Sequence, residues 1–253
     1  MAKAGLLDRE QRTAPAVPVR ADIVPLPHRA CSVRHFDRGE PLCSVGESFR
    51  ALFVVRSGNL KSYVVSRNGL IQVTGFQVAG DVVGLDGIDR CVYQSDVVAL
   101  ADSEVFVLPF VQCEQWSRES AYGQHLLMRT LARETCRGQQ HMLALGTMRA
   151  EQRMAIFLLD LSQRYERLGL SRSEFVLGML RQDIGSYLGL TLETVSRLLS
   201  RMQRDGVLQV QGKSIALLDF PALWRLAGTA HEHHQHLALD PIVDREGNLA
   251  APH

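Results

Sequence analysis

Hydrophobic positions change their spacing twice along this 253-residue chain. From Cys31 to Pro109 the apolar residues come in short β-rich runs: Ala51–Val55, Leu60–Val65, Ile71–Phe76, Asp96–Leu100 and Glu104–Leu108. Gly39, Gly46, Gly58, Gly69, Gly80, Gly84 and Gly87 punctuate them, which predicts a compact antiparallel β-roll or barrel. From Ser117 to Leu145 there is no proline, and Leu127, Leu131, Thr135, Gly138, Met142 and Leu145 recur at steps of four, four, three, four and three. That near-heptad seam predicts a long helix suited to pairing with a second copy of itself; a helix lying on the barrel is the alternative. Arg149–Leu168 reads as a further amphipathic helix with Met154, Phe157, Leu158 and Leu161 inward.

Residues 181–201, RQDIGSYLGLTLETVSRLLSR, read as a helix-turn-helix. Gly189 suits the left-handed conformation that ends a helix, Gly185 falls where the two helices cross, and Thr191 is an N-cap for the second helix. Ile184, Leu188, Leu190, Val195 and Leu198 supply the apolar contacts between the helices. On the second helix Leu192, Val195, Leu198, Leu199 and Met202 gather on one side; Glu193, Ser196, Arg197, Ser200 and Arg204 gather on the other. An Arg can bond guanine O6 and N7, a Glu can accept from cytosine N4, and a Ser can bond base or phosphate. Glu193, Ser196 and Arg197 are therefore the candidate base readers, with Thr191, Thr194 and Ser200 beside them for the backbone. Val207–Val210 and Ser214–Leu218 flank Gln211-Gly212-Lys213, a hairpin like the wing of a winged helix, with Lys213 placed to touch phosphate. Phe220–Ala227 reads as a final short helix.

The expected organisation is thus α+β: a flexible leader at 1–30 carrying Pro15, Pro18, Pro25 and Pro27, a β-roll sensor domain at 31–116, a dimerisation helix at 117–146, a winged-helix domain at 147–228, and a disordered tail at 229–253. Composition changes this picture little. Hydrophobic residues at 46% and charged residues at 22% fit a globular domain pair, and the formal net charge of +1 says nothing of nucleic acid. Between Arg149 and Ser214, ten basic residues face seven acidic ones, a modest excess that a dimer would double. No apolar run reaches the ~18 residues of a membrane span, so no membrane partner and a cytoplasmic location are expected. Five scattered cysteines (Cys31, Cys43, Cys91, Cys113, Cys136) argue against a disulfide framework.

Two long stretches carry a family resemblance: LFVVRSGNLKSYVVSRNGLIQVTGFQVAGDVVGLDGI at 52–88 and FVLGMLRQDIGSYLGLTLETVSRLLSRMQRDGVL at 175–208. Over roughly 31–228 the chain resembles the CRP/FNR family of dimeric bacterial transcription regulators, and within it the branch of the fumarate and nitrate reduction regulator. The resemblance implies that Glu193, Ser196 and Arg197 match the family's E-x-x-S-R half-site readers, with a TTGAT-type inverted repeat as the target in double-stranded DNA. It implies a homodimer, activation of transcription under low oxygen or altered redox state, and contact of the Ser66–Leu70 loop with RNA polymerase.

The resemblance also frames the signal. Cyclic-nucleotide members hold phosphate with an Arg-Ser pair and ribose with a Glu; here Leu85 and Gln94-Ser95 stand in those places, which argues against a cyclic nucleotide. The oxygen sensor ligates an iron–sulfur cluster with closely spaced N-terminal cysteines and one barrel cysteine. Here no cysteine precedes Cys31 and Phe106 takes the barrel position, which argues against that cluster. An unusual set from Cys31, Cys43, Cys91 and Cys113, direct thiol oxidation, and simple burial of each thiol are the alternatives. No cofactor and no metal site is assigned. His35 alone in the barrel gives a cupin-type enzyme no ligand set, so no catalytic residue is expected, although a barrel enzyme with an accessory DNA-binding domain is the rival from another class. A haem sensor using His35 or a cysteine has no specific motif behind it. His231-Glu232-His233-His234-Gln235-His236 reads as a disordered His-rich tail able to chelate metal in vitro. A regulator of the same architecture whose roll senses an unrelated small molecule is the other reading.

Overall fold

The computed structural model describes residues 31–228; the expected leader, the expected tail and its histidines lie outside the described residues. The first part is an antiparallel roll of eight strands: β1 (Ser32–Phe36), β2 (Pro41–Cys43), β3 (Ala51–Ser57), β4 (Asn59–Val65), β5 (Ile71–Val78), β6 (Val82–Val83), β7 (Asp96–Ala99) and β8 (Ser103–Pro109). They form two four-stranded sheets, ordered β1-β8-β3-β6 and β2-β7-β4-β5. The core between them draws Phe36, Phe53, Val55, Val83 and Val105 from one sheet and Leu42, Cys43, Leu60, Val97 and Ala99 from the other. β3 is buried on both faces, because Leu52 leaves the roll core to meet Leu108 and Cys113 on the outside. This explains why its apolar run is continuous instead of alternating.

β5 carries the feature that shapes the rest of the molecule. Its register against β4 slips between Ser62 and Tyr63, leaving Thr74 without an opposite residue. That bulge brings Val73 and Phe76, three apart in sequence, onto the same outer face. There they join a core built from the second half of the chain.

Helix α1 (Phe110–Glu119) follows β8 directly, and the long helix α2 (Ala121–Thr147) follows α1. The sequence pattern runs unbroken through this point, yet the structure separates the two helices at Ser120. Ser120 is extended and its hydroxyl accepts from the Gly123 N–H, 3.1 Å away. Gly123 lies so close under the Trp116 ring that a Cβ would stand 2.8 Å from a ring carbon. The remaining elements are α3 (Ala150–Arg167), β9 (Glu174–Val176), α4 (Arg181–Leu188), α5 (Leu192–Arg204), β10 (Leu208–Gln211), β11 (Ser214–Leu217) and α6 (Phe220–Ala227). The predicted hairpin β10–β11 gains a third strand, giving the order β10-β11-β9.

The two halves share one apolar core. Met154, Leu158, Leu161, Ile184, Val195, Leu199 and Leu223 pack with Val73 and Phe76 of the roll. Polar contacts reinforce the joint. β5 is a sheet edge, and the Ser186 hydroxyl on α4 accepts from the Val73 N–H (2.9 Å) and donates to the Ile71 carbonyl (3.0 Å). Such cover satisfies backbone groups that an edge otherwise leaves open. Lys61 pairs with Asp183 at 2.5 Å. The guanidinium of Arg164, 7% exposed, pairs with Asp81 and Asp160 and donates to the Phe76 carbonyl at 2.7 Å. Burial works against the charge of Arg164, but the two carboxylates outweigh it and hold the group firmly protonated. Arg137 of α2 reaches the same Asp81 at 3.7 Å, so roll, long helix and α3 meet on one carboxylate.

Candidate nucleic-acid interface

The turn between α4 and α5 is built as the sequence predicted. Gly189 is left-handed (φ 62°, ψ 42°) and ends α4. The chain then folds back so that the Leu190 N–H donates to the Gly185 carbonyl at 2.8 Å. A Cβ on Gly185 would lie 2.7 Å from the Leu190 carbonyl oxygen, so only glycine fits this crossing. The Thr191 hydroxyl caps α5 by accepting from the Thr194 N–H at 3.2 Å.

From that fixed start, α5 sinks Val195, Leu198, Leu199 and Met202 into the shared core. Its opposite face carries Glu193, Arg197, Ser200, Arg201 and Arg204, all exposed, with Ser196 and Thr194 half-buried beside them. At ~100° per residue, Glu193, Ser196 and Arg197 project from one stripe. Arg181, at the start of α4, donates to the Ser196 hydroxyl at 3.4 Å, a neighbour the sequence pattern did not reveal. The Glu193 carboxyl is held below its ordinary range by its own backbone N–H and then by the Thr191 hydroxyl, so it presents a fixed anionic acceptor. Lys213 is exposed beside Gly212 at the tip of the β10–β11 hairpin.

A concave groove of about 530 Å³ runs along this face between α5 and the start of α3. Arg149 and Glu151 line it from α3, and Arg197, Arg201 and Arg204 from α5. Glu151 pairs with Arg201 across it. The sequence pattern put Arg197 and Arg204 on this face; Arg201 and the approach of Arg149 and Glu151 emerge only in the structure.

The residues of the expected α2 seam fall in two groups. Leu127 packs against the cluster of Leu52, Leu108 and Cys113, and Leu131 and Leu145 are half-buried. Thr135, Gly138 and Met142 are exposed, together with Met128 and Leu143, so the open face of α2 runs along that second set.

The five thiols occupy different surroundings. Cys43 lies in the roll core, where burial and then the nearby Asp86 push its pKa up to about 12. Cys113, on α1, packs against Leu52 and Leu108 outside the roll core, Cys31 joins the same cluster, and Cys91 and Cys136 are exposed. Phe106 lies under the Arg56 guanidinium. Among the described residues no group of three His, Cys, Asp or Glu side chains is placed to hold a metal ion. At the position where the resemblance puts part of an anion-binding pair, the Ser95 hydroxyl donates to the Asp86 carboxylate at 2.6 Å. No helix among the described residues is long and apolar enough to cross a membrane.

Comparison with known proteins agrees with this geometry. Residues 33–120 match the cyclic nucleotide-binding domain and residues 152–226 the Crp-like helix-turn-helix domain. The chain is 44% identical over 192 residues to the transcriptional regulatory protein btr of Bordetella pertussis, covering 76% of this chain and 79% of that one. It is 41% identical over 191 residues to the fumarate and nitrate reduction regulatory protein of Escherichia coli, covering 76% of each. The solved structure of FixK2 from Bradyrhizobium japonicum superposes with a TM-score of 0.73 at 29% identity, over 79% of this chain and 98% of that one. With these relatives named as regulators and both domains matched, the chain belongs to the CRP/FNR family of DNA-binding transcription regulators.

Proposed function

We propose that two copies of this chain pair through the exposed face of α2 and set their α5 helices into successive major grooves of a TTGAT-type inverted repeat, ~34 Å apart. Glu193, Ser196 and Arg197 read base edges; Thr191, Thr194, Ser200 and Lys213 hold phosphates. The observation that carries this reading is the division of α5 into a core-locked side and an outward side bearing those three base readers. The dimer works in the cytoplasm as an activator of genes for low-oxygen or redox adaptation, and presents the turn at Ser66–Leu70, with Leu70 66% exposed, to RNA polymerase. Two relatives named as anaerobic regulatory proteins support the oxygen theme.

The test is a competition assay with purified protein on the inverted repeat and on variants of each half-site position. Arg197→Ala is expected to cost ~1–3 kcal/mol on the specific site and to relax preference at one guanine alone. Equal discrimination by wild type and variant would remove Arg197 from base reading.

A further inference from the structure

The groove between α3 and α5 holds four guanidinium groups and one carboxylate. Arg149, Arg197 and Arg204 have no ion-pair partner among the described residues, whereas Arg201 is claimed by Glu151 and lies 3.8 Å from Asp205. The Glu151–Arg201 pair is open to water, with side chains 38% and 57% exposed, so it contributes little to stability and exchanges partners readily. It also sits beside Arg197, on the face that meets DNA under the reading above. A carboxylate set among four arginines in this groove stands where an anion would neutralise them.

We propose that Glu151 is an internal stand-in for a DNA phosphate: it neutralises Arg201 in the free protein and gives Arg201 up to a backbone phosphate in the complex. This rests on the regulator reading and deepens it, by naming a residue that tunes affinity against selectivity. The physical consequence concerns ions. When Arg201 turns to phosphate, DNA releases a condensed cation, but the abandoned Glu151 attracts one, so the net release falls by about one. The exchange also penalises any loosely held duplex, where the phosphate is not well placed to compete with Glu151. Random-sequence binding is suppressed more than binding at the correct site.

The experiment measures affinity for the TTGAT-type inverted repeat and for a random duplex of equal length over a range of salt concentrations. Wild type, Glu151→Gln, Arg201→Ala and the double variant are compared, with thermal unfolding recorded for each. Glu151→Gln is expected to raise random-duplex affinity about three- to tenfold and the specific affinity less, and to steepen the log–log salt slope by about one. In the Arg201→Ala background the same change is expected to do nothing. A Glu151→Gln protein with altered thermal stability but unchanged slope overturns the proposal, because the pair would then serve only to tie α3 to α5. A gain that persists undiminished without Arg201 also overturns it, since any nearby acid would act so. Wild type showing no preference for the repeat over the random duplex would sink the regulator reading itself, a result distinct from either of these.

Discussion

Gly185 shows how little room the crossing of α4 and α5 leaves. A methyl group there would be forced to within 2.7 Å of a main-chain oxygen, and main chain in a packed turn yields only by moving a helix. Gly185→Ala is therefore expected to destabilise the protein by about 1–3 kcal/mol, read as a lowered urea midpoint with unchanged slope. An unaltered midpoint would mean that the crossing has slack the structure does not show. The turn residues Gly185, Gly189 and Thr191 were all legible in the sequence, because each is selected by a local rule of backbone sterics or capping. The partners of Arg201 and Ser196 were not. Glu151 and Arg181 lie 50 and 15 residues away along the chain, and no local pattern marks side chains that meet only after folding.

Among the elements, α2 and α4 meet through His141, whose ring stacks on Tyr187 with centroids 4.0 Å apart. Burial pushes the His141 pKa below its ordinary value of about 6.5, and Arg153 adds to the shift. The folded protein thus resists a proton that the unfolded chain accepts. Its stabilising effect is complete above pH ~6.5 and declines as the pH falls from there toward the lowered folded value. Melting temperature is expected to drop more steeply as the pH falls below ~6.5 in wild type than in His141→Gln; parallel curves would show that the ring is not held neutral. Element types were legible wherever periodicity was strong: β3, β4, β5, β7, β8, α3, α5 and the hairpin follow the predicted runs closely. Short β1, β2, β6 and β9 escaped, since two to five residues show too little alternation to stand out. The break at Ser120 escaped as well, because it depends on the Trp116 ring resting on Gly123.

For the molecule as a whole, the proposed function makes the open face of α2 the surface that a second copy covers. Met142 is 67% exposed and touches nothing the subunit needs for its own core, so a charge there leaves the fold intact. Met142→Glu is expected to give monomers by sedimentation at concentrations where wild type is dimeric, with loss of affinity for the inverted repeat and unchanged helical circular dichroism. A dimer of undiminished stability would place the pairing face elsewhere. The expected seam covers only part of this open face, since a heptad pattern cannot tell which apolar positions are already taken by the same subunit. Leu127 is one of those, turned toward Leu52 and Leu108.

The bulge in β5 has a mechanical consequence. By turning Val73 and Phe76 outward, it makes one strand a wall of two compartments, the roll on one side and the α3–α5 assembly on the other. Ser186 is bolted to that wall by two hydrogen bonds, and Arg164 by a third to the Phe76 carbonyl. A force that bends the wall must therefore carry α4 with it or snap those bolts.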